Sequence, residues 1–311
     1  MANPLHDQAE GLRRLLVPDL LRIISITSGN TGAGKTTAVI NLAAALADKG
    51  KNVLVIDENV GASNIAATLG LSAHRDLLDV LRRDKAMDEV LITSPAGFSI
   101  LQAGRGIRVL EKLNAGEQAH LIGAFAHLAQ PVDVVLIDTA QDRNDRVLPL
   151  TLSSHEIVAV VSPEPASITT AYALIKHISG CWKEKRHFRV LVNKAGAEAE
   201  ARMIFENMES AAKRYLNVSL DFMGFIPEDR TLCLGRVVTG AFPEVRSAGA
   251  FREAAELMIH WQSGEDEGKG LERFAQCLLQ SAQSGTQSSP SAQAPDLPEL
   301  TPLQRARSNL K

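Results

Sequence analysis

Between Ser28 and Thr37 the chain reads Ser-Gly-Asn-Thr-Gly-Ala-Gly-Lys-Thr-Thr, and this stretch restricts the possible folds more than any other. It contains the spacing G-x-x-x-x-G-K-[ST] at Gly29, Gly34, Lys35 and Thr36. Just before it, Ile23, Ile24 and Ile26 make Arg22–Thr27 a short apolar run of strand type. Just after it, Val39, Leu42, Ala43 and Leu46 recur at helical spacing and stop before Gly50. A glycine-rich turn between a strand and a helix lets backbone N–H groups point at phosphate oxygens, and the helix N-terminus adds its positive end. Gly29, Asn30, Thr31, Gly32, Ala33, Gly34, Lys35, Thr36 and Thr37 are therefore the expected phosphate cradle. Lys35 is expected to reach the β- and γ-phosphates of ATP, and the Thr36 hydroxyl to ligate Mg²⁺.

Two carboxylates support that site. Asp138 ends Val-Val-Leu-Ile-Asp, the position from which an aspartate holds Mg²⁺ through water. Asp57 ends Val-Leu-Val-Ile-Asp, the strand after the loop's helix, and is the second expected metal-side carboxylate. Each alone could be an ordinary strand-end aspartate. With the glycine loop they form a set.

The rest of the chain alternates strand and helix. Apolar runs at Phe98–Leu101, Ile157–Ser162, Arg189–Asn193 and Phe222–Ile226 alternate with helical patterns at Leu77–Arg83, Glu117–Leu128, Ile168–Ile178 and Ala199–Tyr215. That order predicts an α/β fold, a mostly parallel sheet with helices on both faces. Ligands then sit beyond the strand C-termini, where the loop, Asp57 and Asp138 fall. Phe251, Ala254, Ala255, Met258 and Trp261 read as the core face of a closing helix. The expected organisation is an arm over residues 1–20, a nucleotide domain over 21–262, a linker with an amphipathic helix over 263–280, and a Ser/Gln/Pro-rich disordered tail over 281–311.

A net charge of −3 argues against nucleic acid as the main partner. The cysteines Cys181, Cys233 and Cys277 are far apart and odd in number, so neither metal spacing nor a disulfide framework follows, and a reducing cytoplasm is expected. Met1–Gln8 lacks the cationic flank and apolar run of a signal peptide. The arm opens like a short helix, with Asp7 as N-cap, Glu10 three residues on, Pro18 beyond, and Ala9, Leu12 and Leu16 as a narrow apolar stripe. So short a helix is marginal alone and must dock on this protein or on another. Leu271, Phe274, Ala275 and Leu278 share a helical face near the C-terminus, suited either to a membrane interface or to packing on the protein itself.

The order of these motifs, with Ala-Ser-Ile-Thr-Thr-Ala-Tyr-Ala-Leu-Ile-Lys at Ala166–Lys176 and Phe-Arg-Val-Leu-Val-Asn at Phe188–Asn193, resembles the MinD/ParA family of P-loop ATPases. Within it the chain is similar, from Asp7 to about Leu279, to the FlhG (FleN) branch of flagellar-number regulators. Asp7, Gln8, Ala9, Leu12 and Arg13 match that branch's D-Q-A-x-x-L-R motif. The resemblance implies ATP-dependent homodimerisation, action of the arm on an FlhF-like GTPase, possible contact with flagellar C-ring proteins, and weak membrane attachment by Leu271, Phe274 and Leu278. It also implies that Asn193 reads adenine and that Pro227 lies on the loop closing over the base. Two positions depart from the family pattern: Asn30 stands where a lysine is usual, and Asn59 where a second aspartate positions the attacking water. A neutral amide cannot take a proton, so ATP hydrolysis is expected to be slow or absent; Glu58 is a candidate substitute base, but being adjacent to Asp57 in sequence it is expected to project differently. A dethiobiotin-synthetase-like ligase shares the loop spacing but leaves the arm and tail without a purpose. An active positioning or partition ATPase remains open, although a partition protein would want a basic DNA-binding face. A tyrosine kinase of this fold would want a tyrosine cluster, and the chain has only Tyr172 and Tyr215.

Overall fold

Alternating apolar residues send neighbouring side chains to opposite faces of a strand, and here both faces are covered. In the computed structural model, which describes residues 21–61, 64–140, 149–229, 232, 237–241, 244–261 and 270–284, Ile24 and Ile26 face one layer of helices and Ile23 the other. The arm residues Asp7, Gln8, Ala9, Leu12 and Arg13, the linker over 262–269, residues 285–311 and Cys233 lie outside the described residues.

Eight strands form one sheet: β1 (Arg22–Thr27), β2 (Val53–Asp57), β3 (Ile92–Thr93), β4 (Ser99–Gln102), β5 (Val134–Asp138), β6 (Glu156–Val161), β7 (His187–Ala195) and β8 (Ser219–Pro227). Their order is β3-β4-β2-β5-β1-β6-β7-β8, and every pairing is parallel except the short antiparallel β3–β4 pair. Six longer helices cover the sheet: α1 (Lys35–Asp48), α2 (Ala115–Ala126), α3 (Pro165–Cys181), α4 (Glu198–Leu216), α5 (Arg246–His260) and α6 (Gly270–Ser284). α1 and α5 share a core with Ile24, Val55, Leu136, Val158 and Leu191. The opposite face holds α2 and α6 over Ile23, Leu54, Ile56, Val135 and Ile137, with α3 and α4 beside them over Ile157, Ala159, Val190 and Val192. The expected fold is observed, including the core face Phe251, Ala254, Ala255 and Met258 on α5.

Register does more for function than the layers do. Asp57 on β2 pairs with Asp138 on β5, and Asp138 pairs on its other side with Ile26 of β1. Both carboxylates and the start of the glycine loop therefore emerge side by side at one end of the sheet. β1 lies between β5 and β6, while its own helix α1 leads to β2, so the chain diverges at this point and opens a crevice.

Of the two roles expected for the C-terminal helix, the structure shows packing on the protein itself. α6 runs through Ser284, so residues 281–284 belong to helix rather than to a disordered tail. Phe274, Ala275, Leu278, Leu279 and Ala282 are buried in the same cluster as α2, with Leu271 packed against it. The Phe274 ring meets Phe125 of α2 edge-on at 5.6 Å between centroids. The stripe assigned to a membrane by resemblance thus covers the sheet's own apolar face in this structure. Among the described residues, no helix is long and apolar enough to cross a membrane.

Candidate nucleotide site

A helix leaves its first N–H groups without intrahelical partners, and most helices supply a side-chain cap. α1 does not. Gly34 stands at its N-cap with φ +88° and no side-chain hydrogen bond, and no acidic residue occupies the first turn. The positive end of a fourteen-residue helix is thus left for an anion. Two glycines are required sterically. A Cβ on Gly34 would overlap the Asn193 amide, and one on Gly29 would run into the backbone of Thr170 and Ala171 on α3. The Ala166–Lys176 stretch is in this way part of the wall behind the loop. Ser28 Oγ donates to the Asn30 carbonyl at 3.1 Å, Thr31 and Gly32 are exposed, and Ala33 is buried. Thr37 lies in the first turn, where its carbonyl accepts from Asn41 Nδ2 at 3.0 Å.

Lys35 and Thr36 both turn towards Asp138. The Lys35 ammonium forms a buried ion pair with Asp138 Oδ1, and Thr36 Oγ1 donates to Oδ2 at 2.8 Å. Asn59 Nδ2 lies between the aspartates, 2.9 Å from Asp57 Oδ1 and 2.9 Å from Asp138 Oδ2. Asp57 also accepts from the Asn59 N–H at 2.9 Å and from the Ile65 N–H at 2.5 Å. Burial, followed by the Asp138 charge, pushes Asp57 up to about 6 despite these donors.

Glu58 departs from the expected projection. It turns inward rather than away, is 2 % exposed, and accepts from the Ala140 N–H at 2.9 Å. Burial pushes its carboxyl up to about 8, opposed by the Ala140 hydrogen bond and by the Lys35 charge. Nothing local marks this, because it depends on β5 delivering Ala140 alongside.

Asn193, two residues before the end of β7, pairs with Ile226, and Pro227 at the end of β8 pairs with Ala195. Asn193 Nδ2 donates to the Ala33 carbonyl at 2.8 Å, so its side chain lies against the loop. Lys194, which the sequence reading passed over, donates from Nζ to the Gly32 carbonyl at 2.7 Å. Among the described residues, five buried side-chain polar atoms lack a partner, and three of them ring this end of the sheet: Asn30 Oδ1, Glu58 Oε1 and Gln102 Nε2. Gln102 sits beside Asp57 in the β2–β4 register. An uncapped helix end, a lysine, a threonine hydroxyl, two aspartates and unspent polar atoms together suit a Mg²⁺-bound polyphosphate.

Comparison with known proteins agrees. Residues 24–234 match the CobQ/CobB/MinD/ParA nucleotide binding domain. The antiactivator FleN of Pseudomonas aeruginosa is 34% identical over 270 residues, covering 86% of this chain and 96% of that protein. The flagellum site-determining protein YlxH of Helicobacter pylori is 26% identical over 212 residues, covering 68% of this chain and 71% of that one. The septum site-determining protein MinD of Pyrococcus horikoshii, solved in complex with Mg-ADP, shares the fold at a TM-score of 0.57 and 24% identity, over 77% of this chain and 96% of that one. This chain, whose glycine loop and paired aspartates emerge together from one end of a parallel sheet, belongs to the CobQ/CobB/MinD/ParA nucleotide-binding family.

Proposed function

We propose that this chain is an ATP-responsive switch regulating the number or placement of flagella, and that it turns ATP over slowly. The carrying observation is Asn59. Its amide nitrogen donates to both Asp57 and Asp138, which fixes it as a donor shared by two carboxylates. So placed it orders the carboxylates and accepts no proton from water; loss of a general base commonly costs about 10²–10⁴-fold. Asn30 replaces the lysine usual at its position, which removes a cation that would meet charge on the phosphoryl group.

The loop N–H groups and Lys35 would bind the phosphates, and Thr36, Asp138 and Asp57 would hold Mg²⁺, directly or through water. The ion supplies charge neutralisation on the β- and γ-oxygens when bound. Occupancy, rather than rapid turnover, then sets the state of the switch, including nucleotide-dependent self-association. The flagellar half of the proposal rests on likeness to FleN and YlxH, and it assigns Asp7, Gln8, Ala9, Leu12 and Arg13 to contact with an FlhF-like GTPase, with C-ring proteins as further partners. Attachment to a membrane surface belongs to this proposal only for a state in which α6 has left the domain, since Phe274 and Leu278 are buried here.

Steady-state turnover tests the reading. Wild type is expected to hydrolyse Mg·ATP at least about 100-fold more slowly than Asn30→Lys/Asn59→Asp. Equal turnover of the two proteins would show that the asparagines cost nothing. With an FlhF-like GTPase added, wild type should raise GTP turnover and Gln8→Ala should not; an identical effect of both would remove the arm's role.

A further inference from the structure

At the end of β7 the backbone leaves ordinary strand geometry. Lys194 has φ +62°, a left-handed value uncommon for a residue with a side chain, and pairing with β8 slips between Asn193 and Ala195. A bulge of this kind re-aims side chains, and strained backbone persists where its surroundings hold it. Here it aims two consecutive side chains at one target. Asn193 Nδ2 donates to the Ala33 carbonyl and Lys194 Nζ to the Gly32 carbonyl, at 2.8 and 2.7 Å. Asn193 Oδ1 accepts from the Lys194 N–H at 3.0 Å, which fixes the orientation of the amide against the loop. Its side chain is 4 % exposed and fills the space that a Cβ on Gly34 would claim.

The consequence follows from peptide planarity. The Gly32 carbonyl and the Ala33 N–H belong to one peptide unit, as do the Ala33 carbonyl and the Gly34 N–H, and in a trans peptide the two groups point in opposite directions. Drawing both carbonyls towards β7 turns both N–H groups away from it, to the side where α1 presents its uncapped end. We propose that Asn193 and Lys194 are positioning residues for the polyphosphate of a bound nucleotide: they hold the Ala33 and Gly34 N–H donors in place before the ligand arrives. The proposal rests on the nucleotide reading of the site. Donors fixed in advance bind more tightly because less ordering is lost on association. The ligand chemistry these two residues act on is a di- or triphosphate chain.

Calorimetry on the full chain separates the possibilities, with Mg·ATP, Mg·GTP and inorganic tripolyphosphate with Mg²⁺ as probes. Lys194→Met keeps the side-chain length and removes the donor; Lys194→Arg keeps a cationic donor; Asn193→Ala removes the second tie. Lys194 is exposed, so its variants should fold as the wild type does. Lys194→Met is expected to weaken ATP and tripolyphosphate by a common factor of about five- to tenfold, the worth of one hydrogen bond. Arginine should recover most of that loss, the ratio of ATP to GTP affinity should stay constant across the Lys194 variants, and Asn193→Ala should weaken tripolyphosphate as well as ATP. A loss confined to ATP, with tripolyphosphate untouched, would make these residues base or ribose contacts alone and overturn the proposal. So would unchanged binding of both probes by Lys194→Met. Failure of the unsubstituted protein to bind any probe would instead overturn the nucleotide reading, and the proposal with it.

Discussion

The two rims of the nucleotide crevice are built on opposite principles. The loop rim is a set of donors already in place: the uncapped N-terminus of α1, the Lys35 ammonium, and peptide groups held from behind by Asn193 and Lys194. The opposing rim is acidic and buried. Asp57, Glu58 and Asp138 lie together with almost no exposure, and burial pushes Glu58 up to about 8 and Asp57 up to about 6. A donor surface can be completed by the chain's own hydrogen bonds. A cluster of buried carboxylates cannot, because each added charge raises the cost of the next. Lys35 and the Asn59 amide moderate that cluster, a task that a divalent cation would share.

Lys35 belongs to both rims, so removing it should have the largest effect on nucleotide binding. In wild type, Mg·ATP at about 100 times its Kd should stabilise the fold by about 2.7 kcal/mol. Lys35→Ala should abolish this nucleotide-dependent rise in Tm entirely. A variant stabilised as well as wild type would mean that the loop rim does not bind the phosphates.

Glu58 tests the acidic rim through pH. Its carboxyl is raised from 4.5 to about 8, so the folded chain keeps a proton that the unfolded chain releases across that interval. Stability from this group is therefore greatest below about pH 4.5, falls as pH rises towards 8, and changes no further above it. Glu58→Gln, measured by urea unfolding of the nucleotide-free protein, should match wild type near pH 5 and exceed it by roughly 3–5 kcal/mol at pH 9. A difference independent of pH would show that Glu58 is charged throughout and that the acidic rim is less buried than it looks.

Gly34→Ala should have the smallest effect, and it tests the loop rim. The substitution forces a side chain into φ +88° and against the Asn193 amide, displacing the bond to Ala33. A loss of about 2 kcal/mol is expected from backbone strain and one hydrogen bond together. An unchanged unfolding midpoint would show that the loop and β7 are not tied as described.

Much of this architecture was legible in the linear chain. Apolar runs ending in Asp57 and Asp138 marked the ends of two strands to the residue, although the second begins at Val134 rather than at Val132, because a buried strand must be apolar and its functional carboxylate must stand where the strand leaves the core. The glycine loop was legible for a local reason: its chemistry depends on residues adjacent in sequence. β3, two residues long, carried too short a pattern to register. For α6 the periodicity announced an apolar face, and periodicity does not say what covers that face. Phe274 against Phe125 answered the question with a partner about 150 residues away.

The sequence by itself determined that there is a phosphate loop, that two aspartates accompany it, and that a parallel sheet brings them to one edge. Each is written in composition and spacing within a single element. Only the tertiary structure decided that Asn59 bridges the two aspartates, that Glu58 turns inward to Ala140, and that Asn193 and Lys194 grip the loop. These depend on the register of β2 against β5 and on a bulge between β7 and β8. Register is set by how whole strands pair, so a side chain's partner across the sheet cannot be read from its neighbours in sequence.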